Sequence, residues 1–366
     1  MKVDTLIIGA GPAGLAAARG ARSAGRSALV LDDNWSPGGQ IWRGQASAIE
    51  GVEFRLQHPV SDIASLPIDY KRLILATGAR EMFLPFPGWT LPHVVGAGGL
   101  QALSKAGLNV ANKRVIVAGS GPLLLAVAAN LKKAGAKILL VAEQTPWAKW
   151  FRFCTGIATT PRRWAQAARL STLSFRAGLW PVEAVPSGVK MSDGRLWGCD
   201  YLACGFGLIP NLELPRLIGC EIQGGFVKVD QFQCTSIPNV YAVGELTGIG
   251  GVEKAEAEGF AAGSETRLQI SHEGIVNLLA DCFPLRPELR AITTPGTIVC
   301  RCEDVKMCKL QALAALRNAK LKTRCAMGAC QGRMCGPALQ FLLGWQEDRV
   351  RPPVLPLKVK DLCSRT

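Results

Sequence analysis

Short unbroken apolar runs along this chain alternate with longer stretches of helical period. Val3-Asp-Thr-Leu-Ile-Ile8 is one such run and has the pattern of a strand buried on both faces. It leads into Gly9-Ala-Gly-Pro-Ala-Gly14. An alanine-rich segment, Leu15 to Ala24, follows and is closed by Gly25. A second apolar run, Ser27 to Leu31, ends in Asp32-Asp33. The order strand, glycine turn, helix, strand predicts a βαβ unit. The pattern returns about 110 residues later. Lys113 to Ala118 is a strand, Gly119-Ser-Gly-Pro122 a turn, Leu123 to Lys133 a helix, and Lys137 to Ala142 a strand ending at Glu143. Between the two units, Leu73-Ile-Leu-Ala-Thr-Gly78 reads as strand and tight turn. Thr235 to Glu245 reads as a further strand and turn ending in an acid, and Glu253 to Gln269 as a helix. The class is α/β, with two nucleotide-binding lobes.

Each residue of the first turn has a physical task. Gly9 permits the tight bend, Gly11 lets a pyrophosphate approach the backbone, and Gly14 lets helix and strand pack closely. The free N–H groups and positive dipole of the helix start attract phosphate. Asp32, 18 residues after Gly14, can accept hydrogen bonds from ribose hydroxyls. A lone GxGxxG says little, but here strand, helix and acid all accompany it. The second turn, Gly119-x-Gly121-x-x-Leu124, lacks the third glycine, so its helix and strand stand further apart. Whether that lobe holds NAD(P) or has kept only its fold stays open.

Composition changes the picture at one point. The 366 residues, 48% hydrophobic and 19% charged, suit two or three ordinary globular domains. The net charge of +14 is scattered, with no aromatic–basic repeat, and no nucleic-acid partner is expected. The N-terminus has no signal-peptide layout and no stretch offers 18 clean apolar residues, so a cytoplasmic protein is expected. The 13 cysteines then point to metal or redox chemistry before disulfides. Cys300-x-Cys302 and Cys330-x4-Cys335 bracket a stretch read as helical, Cys308 to Asn318. Four thiolates suit zinc or an iron–sulfur cluster. Paired CxxC knuckles, usual for zinc, are not present in this motif. Arg301, Arg324 and Arg333 would offset a cluster's negative charge. Cys325 stands five before Cys330 and copies the second spacing, so it rivals the assigned ligands. Cys154, Cys199, Cys204, Cys220, Cys234, Cys282 and Cys363 are isolated and read as packing residues. His58, His93 and His272 form no acid–base set, and catalytic residues stay unassigned.

Pro12-Ala13, Gly38-Gly39-Gln40, Ala76-Thr77-Gly78 and Ala242-Val-Gly-Glu245 together resemble the motifs of two-dinucleotide-binding flavoproteins of the glutathione-reductase-like superfamily. The resemblance implies FAD held by Gly9, Gly11, Pro12, Ala13, Gly14, Asp32, Asp33, Gly39, Gln40, Arg43, Val60, Ala76, Thr77, Gly78, Gly244 and Glu245. Glu245 stands where the superfamily usually has Asp, which alters its expected contact with the ribityl chain. The cysteine spacing resembles the 2Fe-2S module of the bacterioferritin-associated-ferredoxin type, implying Cys300, Cys302, Cys330 and Cys335 as ligands.

Longer stretches, among them Pro37-Gly-Gly-Gln-Ile-Trp-Arg43, Pro85 to Pro92, Gly205 to Asn211 and Gly244 to Gly251, resemble the α (A-type) subunits of heteromeric FAD/2Fe-2S amino-acid and opine dehydrogenases. That family includes the A-type subunit of opine oxidase, the B-type subunit of hydrogen cyanide synthase and the α subunit of D-hydroxyproline dehydrogenase. The segments 45–71 and 147–200 are short for the family, so the chain reads as a compact version. The resemblance implies an FAD-binding domain over 1–98 and 201–271, an NAD(P)-binding-like lobe over 99–200, a linker at 272–296, a small helical 2Fe-2S module at 297–345 and an extended tail at 346–366. It implies an electron-transfer role beside a D-amino-acid-oxidase-like β subunit, with delivery to a respiratory acceptor. It also admits a small third subunit, FMN at a subunit interface, and peripheral attachment at the inner face of the cell membrane. Two alternatives stand beside it: a self-contained NAD(P)H-dependent FAD oxidoreductase, and a structural zinc-bearing assembly subunit.

Overall fold

The computed structural model describes every residue except 45, 47–48, 158–173, 347–349 and 358–366. Cys363 and parts of the expected tail therefore lie outside the described residues. The chain forms two compact units. One contains the described residues of Met1–Arg80, Leu208–Val276 and Arg349–Thr366; the other contains those of Glu81–Gly207 and Asn277–Asp348.

In the first unit, β1 (Lys2–Ile8), β2 (Ala28–Leu31), β3 (Glu53–Arg55) and β4 (Asp69–Leu75) join the strand Val240–Ala242 in a parallel sheet, with that strand at one edge beside β4 and the order continuing β1, β2, β3. Leu6 and Ile7 are fully buried because the sheet is covered on both faces. Register sets the site: Ile8 lies opposite Leu31 and Leu75, so the glycine turn, Asp32 and Ala76-Thr77-Gly78 all leave the sheet at one end. α1 (Pro12–Ser23) starts with Gly11 as N-cap and Pro12 in its first turn, where the missing N–H costs nothing.

α1 packs against the helix Val252–Ser264 at backbone distance. A Cβ on Gly259 would stand 2.1 Å from the Ala13 carbonyl oxygen, and one on Gly263 would stand 2.1 Å from that of Ala17. Small residues on both helices therefore bring the two helices into direct backbone contact.

In the second unit, five parallel strands run in the order Val94–Gly96, Tyr201–Gly205, Arg114–Gly119, Lys137–Glu143, Phe175–Ala177. α2 (Ala97–Lys105) and α3 (Leu123–Lys133) cover this sheet through Leu100, Leu124, Val127 and Leu131. The strand Val94–Gly96 hydrogen-bonds to Tyr201–Gly205, which draws residues 81–98 and 201–207 into this unit rather than the first, away from the expected boundaries at 98 and 201.

Residues 272–296, expected as a linker, hold the helix Glu273–Cys282 and a 3-10 turn, Pro287–Ile292. Leu289 and Ile292 are buried in the core there, so apolar anchoring overrides the three prolines that suggested a loose connection. The cysteine module has its own hydrophobic cluster, including Val299, Leu310, Leu339 and Trp345. The helix between the cysteine pairs is Leu316–Thr323, later than the stretch predicted from 308 to 318. Leu316 and Ala319 face that cluster one turn apart, while Met307 and Leu310 are buried from a separate 3-10 turn.

Candidate functional site

The first site gathers at the C-terminal end of the β1 sheet. A Cβ on Gly9 would meet the Ala76 carbonyl oxygen at 2.3 Å, and one on Gly14 the Gly9 carbonyl oxygen at 1.8 Å. A Cβ on Gly11 meets nothing within 4 Å. The first and third glycines are thus required by backbone contact, and the middle one faces an open cradle, as pyrophosphate binding needs. Gly39, at φ +57°, brings its Cβ position to 3.0 Å from Gly11 Cα, so the Gly38-Gly39-Gln40 segment borders the same cradle.

Asp32 closes the site from β2. Its Oδ2 accepts the Ala10 N–H, and its Oδ1 accepts the Asn34 backbone N–H at 2.7 Å and the Asn34 side-chain amide at 2.8 Å. Arg43 donates to Asn34 Oδ1 at 2.9 Å, and burial followed by repulsion from Asp32 pushes the Asp33 carboxyl up. His58 gives its backbone N–H to the Asp32 carbonyl, and Val60 is buried nearby in sequence. The Ser36 hydroxyl and Arg43 Nε are buried with no hydrogen-bond partner among the described residues. A bound dinucleotide would supply partners of the kind such groups lack. Thr77 and Asn211 exchange hydrogen bonds, Thr77 Oγ1 to the Asn211 carbonyl at 3.0 Å and Asn211 Nδ2 to the Thr77 carbonyl at 2.7 Å, which fixes the turn at Gly78. The residues expected to hold FAD that these contacts include fit that cofactor.

Glu245, expected with an altered ribityl contact, has partners within its own loop. Its carboxylate accepts the N–H groups of Gly250 (3.2 Å) and Gly251 (3.1 Å), at the start of the helix Val252–Ser264. The extra methylene over Asp lets it reach the helix start, and burial pushes its carboxyl up. Lys254 and Glu258 were not legible as site residues. They form a buried ion pair at 2.8 Å beneath the same turn. Lys254 Nζ donates to the Gly244 carbonyl and Thr247 Oγ1, while Glu258 accepts the Gly244 N–H. Their i,i+4 spacing is a weak sequence signal, since most such pairs lie on solvated faces.

The second glycine turn has a different environment. Glu143, opposite Gly119, is fully buried, and its oxygens accept the N–H groups of Gly121 (2.7 Å) and Thr145 (2.9 Å). Gln144 is also fully buried. Its amide donates to Ser120 Oγ and to the Pro284 carbonyl, and its oxygen accepts the Arg286 N–H. The segment 282–286 therefore lies over the end of the strand Lys137–Glu143.

Burial pushes the Glu143 carboxyl up from 4.5 to about 7. The unfolded chain ionises this group from 4.5 upward while the folded chain keeps its proton, so stability falls as pH rises from 4.5 to about 7 and is level above that. Glu143→Gln should flatten this slope, by about 3 kcal/mol across the window at 1.4 kcal/mol per unit. Denaturant unfolding at a series of pH values measures it.

The cysteines converge in the C-terminal module. The hairpin Ile298–Cys300 with Val305–Lys306 carries Cys300 and Cys302, and Cys335 opens the helix Cys335–Leu343. A cavity of about 320 Å³ is lined by Trp89, Cys300, Arg301, Cys302, Cys330, Met334 and Cys335. All four expected ligands thus share one cavity. Cys302 touches Cys330 thiol to thiol and accepts its backbone N–H. The Sγ atoms of Cys300, Cys325 and Cys335 lie within 4.8 Å of one another.

Hydrogen bonds from Cys325 and then Cys335 hold the Cys300 thiol far below the ordinary range, with help from the N–H groups of Ala326 and Glu303; its partner Cys325 is pushed up to about 12. The loop delivering those donors is tightly wound: Arg324, Ala326 and Gln331 all have positive φ, and a Cβ on Gly328 would meet Cys302 Cβ at 2.3 Å. Arg324 is the left-handed cap of the helix Leu316–Thr323, and the further left-handed turns at Ala326 and Gln331 keep this loop tight against the sulfurs. Trp89 is a further residue missed in the sequence. It walls the cavity, donates its indole N–H to Ile298 O at 2.6 Å and lies under the Arg301 guanidinium. Only distance in the chain hid it. The donor set, soft sulfur with backbone N–H groups aimed at it, fits a 2Fe-2S cluster.

Two βαβ lobes, the first with an open glycine cradle, give the fold of an FAD-dependent oxidoreductase with two dinucleotide-binding-type domains. Over residues 3–259 the chain matches the pyridine nucleotide-disulphide oxidoreductase family and belongs to it. It is 28% identical to the A-type subunit of opine oxidase from Agrobacterium tumefaciens (strain Ach5), across 98% of this chain and 91% of that protein. It is 26% identical to hydrogen cyanide synthase subunit HcnB of Pseudomonas protegens, across 96% and 92%. The alignment to the first runs over 459 residues against 366 here, so that relative carries stretches this chain lacks. The fold is similar to that of L-proline dehydrogenase from P. horikoshii, with a TM-score of 0.69, 19% identity, and coverage of 99% of this chain and 79% of that one. Both the expected fold class and the expected family resemblance are borne out. Among the described residues, no helix is long and apolar enough to cross a membrane.

Proposed function

We propose that this chain is the electron-transfer subunit of a heteromeric amine or amino-acid dehydrogenase. In this reading a D-amino-acid-oxidase-like partner with its own flavin oxidises an opine, D-hydroxyproline or glycine-like substrate. This chain carries the electrons onward between a 2Fe-2S cluster and FAD toward a respiratory acceptor. The single observation that carries the reading is the cavity lined by Cys300, Cys302, Cys330 and Cys335 in a chain that also has an FAD cradle. When bound, a flavin takes electrons in pairs or singly and a 2Fe-2S cluster takes them singly, so the two together convert one mode into the other. Gly9, Gly11, Gly14 and Asp32 would hold and orient the dinucleotide, and the four cysteines would hold the cluster. Near full-length likeness to two proteins named as subunits supports a heteromer.

The burial of Glu143, together with the bonds that tie the adjacent Gln144 to Pro284 and Arg286, favours electron entry from a partner over entry from NAD(P)H. A nicotinamide dinucleotide needs that strand end open to place its ribose. Purified alone, the chain should show flavin and 2Fe-2S absorption, no amine oxidation, and a flavin left oxidised by stoichiometric NADH under anaerobic conditions. Full amine oxidation without a partner would sink the relay, and rapid bleaching by NADH would install the self-contained reductase in its place. Zinc without iron or flavin would select the structural, zinc-bearing alternative.

A further inference from the structure

Five cysteines meet in the C-terminal module, and a 2Fe-2S cluster takes four. We infer that Cys325 is the one left out, a positioning residue whose thiol hydrogen-bonds the ligand sulfurs of Cys300 and Cys335 from the closed side of the cavity. The inference rests on the cluster reading above.

The geometry separates the five thiols. Cys300, Cys302, Cys330 and Cys335 line the cavity, and Cys302 is exposed at its mouth. Cys325 does not line it. It is fully buried, among Val299, Leu310, Ala319 and Leu339. Yet its Sγ lies within 4.8 Å of the Sγ atoms of both Cys300 and Cys335. Those three thiols are close enough to share an ion, but only Cys300 and Cys335 also face the cavity with Cys302 and Cys330.

Its backbone is fixed there. The helix Leu316–Thr323 ends at Arg324 in the left-handed region, the Cys325 N–H bonds Thr323 Oγ1 at 3.3 Å, and Ala326 follows at φ +66°. A thiol in apolar surroundings gains by donating to an acceptor, and a thiolate bound to iron is the strongest acceptor in reach. That donor stabilises the more negative, reduced form of the cluster and so raises its potential. The spacing Cys325-x4-Cys330, which makes Cys325 look like a ligand in sequence, carries no such meaning in space.

The test uses the full chain with both cofactors bound. Cys325→Ala should keep iron and acid-labile sulfide at the wild-type ratio while the cluster midpoint potential moves negative. Cys325→Ser, which restores an O–H donor, should bring the potential back toward wild type. Cys302→Ala and Cys330→Ala should each lose iron. Should Cys325→Ala fail to fold, Cys325→Val fills the volume without a donor and should give the same negative shift.

Loss of iron from Cys325→Ala or Cys325→Val, with iron retained in Cys302→Ala or Cys330→Ala, would make Cys325 a ligand and overturn the inference. An unmoved potential in a fully loaded Cys325→Ala would overturn it too, reducing Cys325 to a packing residue. Wild-type chain that carries zinc instead of iron removes the cluster reading itself, a different failure visible before any variant is made.

Discussion

Lys254→Ala should destabilise the first unit by about 3–5 kcal/mol and strip it of flavin. The Lys254–Glu258 pair is only 4% and 6% exposed. Removing the ammonium leaves the Glu258 carboxylate buried without its counter-charge, which is the costly way to break such a pair. It also takes donors away from the Gly244 carbonyl and Thr247 Oγ1, on either side of Glu245. The turn that bears Glu245 then loses its anchor. The two effects separate in a double variant. Lys254→Met with Glu258→Leu removes both charges and should regain much of the stability, because matched apolar groups replace a buried pair at little cost. Its flavin occupancy should stay low, since the Gly244 N–H has lost its acceptor Glu258. Denaturant unfolding and flavin absorbance per chain report the two quantities. A Lys254→Ala chain as stable as wild type would show that the pair contributes nothing.

Gly259→Val should be strongly damaging in the helix Val252–Ser264. The new Cβ would sit 2.1 Å from the Ala13 carbonyl oxygen and 3.0 Å from Ala16 Cβ. Overpacking costs typically about 1–3 kcal/mol when side chains can move aside. Here the obstacle is backbone in the first turn of α1, next to the pyrophosphate cradle, so the cost should reach or exceed the top of that range and FAD should be lost with it. Gly274→Ala is the matched control. It too lies in a helix, a Cβ there meets nothing within 4 Å, and relief of glycine's helix penalty should leave stability equal or up to about 1 kcal/mol higher. Thermal unfolding of the two variants, followed through the flavin and the backbone signal, distinguishes local crowding from a general intolerance of change at glycine.

Much of the molecule was written in local pattern. Strand runs, glycine turns and terminal acids are adjacent in sequence, and their physics is local: a parallel strand must be apolar, and a backbone meeting a pyrophosphate must lack a Cβ. Gly9, Gly11, Gly14, Asp32 and the four cysteines of the cavity were therefore legible from spacing. Tertiary structure decided what depended on residues far apart in the chain. Gly259 needs Ala13, Trp89 needs Ile298, and the closure of the second glycine turn needs Gln144 to meet Pro284 and Arg286. Burial decided the rest. Lys254 and Glu258 look like a surface pair until the helix packs, and Cys325, a rival ligand by spacing, is buried and does not line the cavity that the other four cysteines share. Spacing along the chain states which groups are near one another, while only packing states which of them face water, a cofactor or each other.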